Sequence, residues 1–461
     1  MSFTESNYEN CIMSLLEGVG YTPLYGPDVP RDYRDPLFED ALKAALPAVN
    51  PGMPEEAISD ALSRLHDLGT GSLVQKNAVF MDYLQNGIPV RYFVTGAERS
   101  GLVYLIDYEH IGRNTFHAIN QWTFVEHSEK RPDVVLFVNG LPLVVIELKS
   151  PSREETDASA AYRQIRNYLQ EIPSFFAYNA ICAISDQAVS KAGTITSSED
   201  RFMEWKTTDG SYESTQFADY ETFFTGMFER ERLLDILKNF ICFSVATDGT
   251  AKILAAYHQY FAVKKAVEST RQATEYDGKG GVFWHTQGSG KSLSMVFYAR
   301  LLQTALASPT IVVLTDRNDL DEQLFSQFGK CAAFLRQTPV QATCRKLSDD
   351  YKDALRAGKK RKIEIGLKDF LEDRAANGII FTTMQKFEEY DEPLSERRNI
   401  IVMADEAHRG QYGLEEKIDP KTGRVTIGTA RIIRDSLPNA TYIGFTGTPI
   451  SGKDRSTREV F

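Results

Sequence analysis

The rhythm of apolar and polar positions changes twice along the chain. Glu9, Ile12, Met13, Leu15 and Leu16 have mixed helical spacing and predict an opening helix over 9–17. Residues 31–66 carry two more helical patterns, broken around Pro47, Pro51 and Pro54. From residue 90 to 149 the texture becomes β, with apolar runs at 102–106 and 134–138. A helix near 157–171, a buried strand over 178–184, a hairpin or loop region from 190 to 223 and a helix over 229–240 follow. Past Asp248-Gly249-Thr250, buried strands at 281–284, 310–314, 378–381, 400–403 and 441–445 alternate with helices, which implies a parallel α/β sheet. The pattern predicts two domains, 1–245 and 246–461, with no internal repeat.

Composition narrows this little. With 461 residues, 42% hydrophobic and 25% charged, the chain is an ordinary globular sequence. The start is polar and acidic, unlike a signal peptide, and no run has the length of a membrane span. Five scattered cysteines without a CxxC pair argue against a structural zinc or a disulfide framework and fit a cytoplasmic protein. A net charge of −11 argues against a protein that simply coats nucleic acid. It leaves room for one that grips it locally.

The candidate chemistry is concentrated in two places. Thr286, Gln287, Gly288, Ser289, Gly290, Lys291 and Ser292 lie between an apolar strand and a helix. The strict pattern GxxxxGK[ST] fails at its first glycine, where His285 stands, but the rest is in register. Glycines let backbone N–H groups converge on phosphate oxygens at a helix start. Lys291 is placed for the β- and γ-phosphates and Ser292 for Mg²⁺. A second motif, Asp405-Glu406-Ala407-His408, ends the strand at 400–403. Asp405 suits a metal ligand, and Glu406 suits orientation of an attacking water. Either acidic residue also reads as a helix cap. Thr446-Gly447-Thr448-Pro449 closes the next strand, and the set resembles superfamily 2 helicases and translocases of the DEAH kind. That resemblance implies ATP as cofactor, DNA contacts at Thr315-Asp316-Arg317 and Thr382-Thr383-Met384-Gln385, and adenine selection by Gln259. A solvated helix glutamine is the alternative for Gln259, and a solvated helix end for the basic run at 356–362.

The second place is Asp133 with Glu147 and Lys149. Glu147 and Lys149 are two apart on a strand, so both face one side. Hydrolysis of a phosphodiester needs carboxylate-held metal and a nearby cation. The set matches the PD-(D/E)xK nuclease pattern, with Mg²⁺ held by Asp133 and Glu147. Register tests it. A two-residue turn at Asn139-Gly140 pairs Pro132 with Glu147 and turns Asp133 away, unless a bulge or a longer loop intervenes. Gln164 and Tyr168, on one face of the next helix, resemble the QxxxY motif that accompanies RecB-like nucleases. Glu9 is either a further carboxylate or an exposed helix charge.

The order of nuclease, Gln-Tyr helix and DEAH motor resembles the restriction (R, HsdR) subunit of type I restriction–modification enzymes. The stretches 131–140, 145–151 and 285–292 carry that resemblance over nearly the whole chain. It implies a PD-(D/E)xK-type nuclease domain followed by a RecA-like parallel α/β lobe of a superfamily 2 motor. It also implies ATP-driven translocation and Mg²⁺-dependent cleavage of duplex DNA, with methylation (M) and specificity (S) subunits as partners. Motifs of a second lobe are absent before Phe461, so the chain reads as an N-terminal fragment. Three readings compete: another nuclease-fused superfamily 2 helicase, an RNA helicase of the DEAH type, and a nucleotide-gated DNA-binding subunit without catalysis. A type III restriction subunit would carry its nuclease after the motor.

Overall fold

Each of two compact units, Met1–Tyr260 and Phe261–Phe461, is organised by one six-stranded sheet. The computed structural model describes residues 5–447 apart from 95, 150–156, 212–218, 287, 316–317, 358–363, 388–391, 408–416, 419–424 and 427–428.

In the first unit the sheet strands are β1 (Thr22–Tyr25), β2 (Phe116–Asn120), β3 (Val134–Val138), β4 (Leu141–Leu148), β5 (Ile181–Ser185) and β6 (Ser190–Gly193), and their spatial order follows the chain. Pairing is mixed. β2, β3 and β4 form an antiparallel meander, β1 joins β2 and β5 joins β4 in parallel, and β6 returns antiparallel on β5. β3 and β4 are buried throughout, because helices cover the sheet. The opening helix α1 is Glu5–Gly18, and α2 is Ala158–Glu171. Asp157 caps α2 through the Ala160 N–H. Ala161, Ile165, Tyr168 and Ile172 form its inward stripe, packed with Val135, Phe137 and Val145.

The β3–β4 turn decides the position of everything beyond it. Asn139 and Gly140 both have positive φ, 51° and 80°, as a two-residue type I′ turn requires. A Cβ on Gly140 would lie 2.5 Å from the Phe38 carbonyl oxygen, so glycine is required by space as well as by φ. Val138 then pairs with Leu141 and Phe137 with Pro142, but Leu136 pairs with Val144. Leu143 is the extra residue of a β-bulge. Pro142 accounts for it physically: a proline in a central strand has no N–H for the ladder, and bulges are where the sheet tolerates one.

Several elements differ from the sequence pattern. The run at 102–106 is strand only to Val103, in the ribbon Ile88–Val94 with Ala97–Val103. There the Asn50 amide takes both backbone groups of Tyr104, donating to its carbonyl at 2.8 Å and accepting from its N–H at 2.7 Å, and the ladder stops. Pro47 does not break its helix, Glu39–Val49. It occupies an exposed position in the last turn, where one lost internal bond is tolerated. Helix Leu73–Asn86 has little apolar rhythm, and a capping box between Ser72 and Gln75 marks its start instead. Helix Tyr220–Met227 begins inside the stretch expected to be hairpin or loop.

The second unit has the expected parallel sheet, in the order β7 (Lys279–Trp284), β12 (Thr441–Thr446), β11 (Ile400–Ala404), β8 (Thr310–Thr315), β10 (Ile379–Thr383) and β9 (Val340–Gln341). Every residue of β8, β10, β11 and β12 is buried. No helix among the described residues is long and apolar enough to cross a membrane. All five cysteines are free thiols.

Lys252, on the strand Gly249–Leu254 of the first unit, is buried with its ammonium on the Asn179 carbonyl at 2.7 Å. Burial pulls its pKa down to about 7, with only a small opposing effect from Cys182. The unfolded chain keeps a proton on this lysine up to about 10.4, so between about 7 and 10 unfolding takes up a proton and stability rises with pH. Below pH 7 the full cost is present. Comparing urea midpoints of the wild type and Lys252→Met tests this. The wild type should gain on the variant steadily from pH 7 to 10, and a constant difference would show that the lysine is neutral or solvated throughout.

Candidate functional sites

The bulge resolves the register question. Val134 faces Ile146 across the ladder, so the next position down sets Asp133 beside Glu147. Both lie on the sheet face that α2 covers, as Val135 and Val145 do. The Asp133 Oδ2 accepts from the Leu148 N–H at 2.7 Å, which ties the loop before β3 to the end of β4. Lys149 donates from Nζ to Glu147 Oε1 at 2.6 Å and to the Leu148 carbonyl at 3.0 Å. This ion pair is nearly dry, with side-chain exposures of 16% for Lys149 and 4% for Glu147. Tyr168, from α2, donates to Glu147 Oε2 at 3.0 Å. Burial raises its phenol pKa far above the ordinary value. The Glu147 charge adds to that, and a hydrogen bond with Gln164 opposes it. Asp133, Glu147, Lys149, Gln164 and Tyr168 therefore form one cluster. Glu9 lies at its margin, its carboxylate bonded to the amides of Asn120 and Gln121 at 2.6 Å each.

In the second unit the candidate chemistry gathers at strand C-termini. β7 ends at Trp284, and His285 and Thr286 lead into the loop. Gly288 and Gly290 have φ of 87° and 85°, the left-handed region that makes a tight reversal into helix Lys291–Ala305. The Ser289 hydroxyl donates to the Thr286 carbonyl and meets His285 Nδ1 at 2.7 Å. His285 thus braces the turn from the position where the strict pattern has glycine. Lys291 and Ser292 begin the helix. Lys291 Nζ lies 2.8 Å from Asp405 Oδ1 and also bonds Glu406 Oε1. Burial disfavours the charge of Lys291, but Asp405 and Glu406 overcome that and hold its pKa above the usual value. Glu406 has φ 51°, a strained conformation for a residue with a side chain, as is common at functional sites.

Gln259 belongs to the first unit, in the opening turn of helix Tyr257–Glu275. It is buried, and its Oε1 accepts from the Ala256 N–H at 3.0 Å, so this oxygen caps its own helix. Thr315 and Thr382 meet at the ends of β8 and β10, the Thr315 hydroxyl reaching the Thr382 carbonyl at 3.4 Å. Gln287, Asp316, Arg317, His408, Thr448 and Pro449 lie outside the described residues, as does most of the basic run. The clue that the pattern reading lacked was Pro142. Its place two residues after the turn marks the bulge that the cluster needs.

Comparison with known proteins divides the chain in the same order. Residues 2–201 match the family described as type I restriction enzyme R protein N terminus, and residues 258–461 match the SWI2/SNF2 ATPase family. Over 99% of its length the chain is 40% identical to the type I restriction enzyme HindI endonuclease subunit of Haemophilus influenzae. Over 98% it is 31% identical to a Methanocaldococcus jannaschii protein designated the MjaIXP endonuclease subunit. It spans 44% and 43% of the lengths of these curated relatives. Among solved structures, the helicase domain of Pyrococcus furiosus Hef aligns over 43% of this chain and 35% of its own, at 16% identity and a TM-score of 0.25.

The Tyr168–Glu147 bond has a measurable consequence. Tyr168→Phe keeps the ring and leaves one oxygen of a buried carboxylate without its donor. A hydrogen bond to a charged group contributes about 1.5–3 kcal/mol, so the unfolding free energy from urea titration should drop by that order. An unchanged value would mean that the phenol does not support Glu147.

Proposed function

The chain is of the R-subunit type of type I restriction enzymes, and from that premise we propose that it supplies such an enzyme with both a nuclease and a motor. In this reading the first unit is a PD-(D/E)xK-type nuclease that cuts duplex DNA. The second is a RecA-like lobe that uses ATP to move DNA toward it. The methylation and specificity subunits are the partners that recognise the DNA site.

The observation that carries the nuclease half is the bulge at Leu143, which brings Asp133 to the side of Glu147 and Lys149. Two carboxylates on one face, one of them already balanced by an ammonium, fit a divalent cation. A magnesium ion held by Asp133 and Glu147 would polarise the scissile phosphate and activate a water. Lys149 keeps positive charge beside the carboxylates, where the leaving or attacking oxygen develops negative charge. Tyr168, steadied by Gln164, fixes the second oxygen of Glu147 so that its first remains directed at Lys149.

The motor half rests on Lys291 meeting Asp405 and Glu406 at the end of a parallel sheet. The left-handed glycines turn the loop tightly into a helix start, the kind of place that binds phosphates, and a Cβ on Gly288 would meet nothing within 4 Å. Thr286, Gln287, Gly288, Ser289, Gly290 and Lys291 would cradle ATP, with Ser292 and Asp405 as magnesium ligands and Glu406 orienting the attacking water.

Two predictions separate the halves in an enzyme assembled with its partner subunits. Asp133→Ala and Lys149→Ala should each abolish DNA cleavage while ATP hydrolysis and translocation continue, measured by phosphate release and triplex displacement. Cleavage at the normal rate by Lys149→Ala would remove that lysine from the reaction. Lys291→Ala should stop translocation, and with it the cleavage that translocation brings about, while DNA-site binding by the partner subunits persists. Translocation by that variant would reject Lys291 as the phosphate-binding residue.

A further inference from the structure

An open cleft of about 610 Å³ leads to Asp133, bordered by Glu9, Tyr25, Asn120, Gln121 and Arg131. Its charges are not balanced in the obvious way. Glu9 is held by two amides, and Asp133 is bonded to the Leu148 N–H. Arg131, the only cationic side chain among these lining residues, is exposed. Among the described residues its guanidinium makes no hydrogen bond or ion pair, although two carboxylates border the same cleft. Its backbone, by contrast, is pinned. The Tyr168 hydroxyl, which gives its one proton to Glu147 at 3.0 Å, stands 3.4 Å from the Arg131 carbonyl, and two residues later the Asp133 carbonyl accepts from the Gln121 N–H at 2.9 Å. A cation whose five donors are unspent among the described residues thus borders the entrance of the carboxylate cluster.

We propose that this cleft is the track of the cleaved strand and that Arg131 anchors it by a phosphate next to the scissile one. The planar fork of a guanidinium matches two phosphate oxygens, and an arginine not consumed by an internal ion pair has no such pair to break on binding them. The Asn120 and Gln121 amides bind both oxygens of Glu9 and hold that carboxylate in place. The contact reads backbone and not bases, which suits an enzyme whose site choice lies in other subunits. The assignment rests on the nuclease reading of Asp133, Glu147 and Lys149, and it adds a substrate-binding residue to it.

The test uses the assembled enzyme on circular duplex DNA. Cleavage and translocation are followed in the same reactions across a series of salt concentrations, for the wild type, Arg131→Ala, Arg131→Lys and Glu147→Ala. Arg131→Ala should translocate normally and cleave roughly ten- to a hundredfold more slowly at low salt, the size of one charge-assisted bond. Its deficit should shrink as salt rises, with a slope on logarithmic axes lower by about one than that of the wild type. Arg131→Lys, which keeps the charge, should restore the slope and part of the rate. A deficit that is the same at every salt concentration, or no deficit, overturns the phosphate contact. Normal cleavage by Glu147→Ala would instead overturn the nuclease reading on which it rests.

Discussion

One missing N–H shapes the first unit. Pro142 cannot donate to the ladder between β3 and β4, and Leu143 is extruded as a bulge. Side chains alternate across a strand with a period of two, so a shift of one residue exchanges the faces of everything beyond it. Without the bulge, the tight turn at Asn139-Gly140 would put Asp133 and Glu147 on opposite faces. With it, both carboxylates and the apolar residues behind them face α2. The turn itself is fixed by neighbours. The Asn139 amide donates to the Leu105 carbonyl and to Asn114, and Phe38 crowds Gly140.

The two candidate sites share an electrostatic arrangement despite unrelated sheets. In each, a lysine lies against carboxylates at the end of a buried strand: Lys149 on Glu147, and Lys291 on Asp405 and Glu406. Desolvation makes such charges costly unless they are paired and hydrogen-bonded. Pairing keeps Lys291 charged, whereas Lys252, buried on a carbonyl with no opposing carboxylate among the described residues, loses its proton near neutrality. Depth and partner act together: Lys252 is fully buried on a carbonyl, whereas Lys291 is partly exposed and lies against two carboxylates. Strain also distinguishes the second site. Glu406 sits at positive φ where its N–H reaches back to Asp405 Oδ1 at 2.9 Å, which holds the acidic pair in a bent geometry.

The parallel sheet of the second unit was legible because β8, β10, β11 and β12 are each built around a short apolar run, and their continuous burial is what a sheet covered on both faces demands. Helix α2 was equally plain from its inward stripe. The ribbon end at Val103 was not, since Leu105 and Ile106 are as apolar as a strand and only the distant Asn50 amide ends the ladder. Helix Leu73–Asn86 was missed for a related reason: its start is signalled by two polar side chains and not by hydrophobic rhythm. Pro47 misled because a proline is disruptive in a helix interior but not in an exposed last turn.

The sequence by itself determined which residue types could do the chemistry and which strand or helix carries each. Motif spacing is local, and local spacing is set by the 3.6 and 2.0 periods of the backbone. It could not determine which side of the sheet Asp133 occupies, because both registers satisfy the same pattern of apolar residues. Packing around Pro142 decided that. Nor could it show that the Arg131 guanidinium has no internal partner among the described residues while the neighbouring acids are engaged. That depends on contacts between segments more than a hundred residues apart, such as Glu9 with Asn120 and Gln121, which only the folded chain brings together.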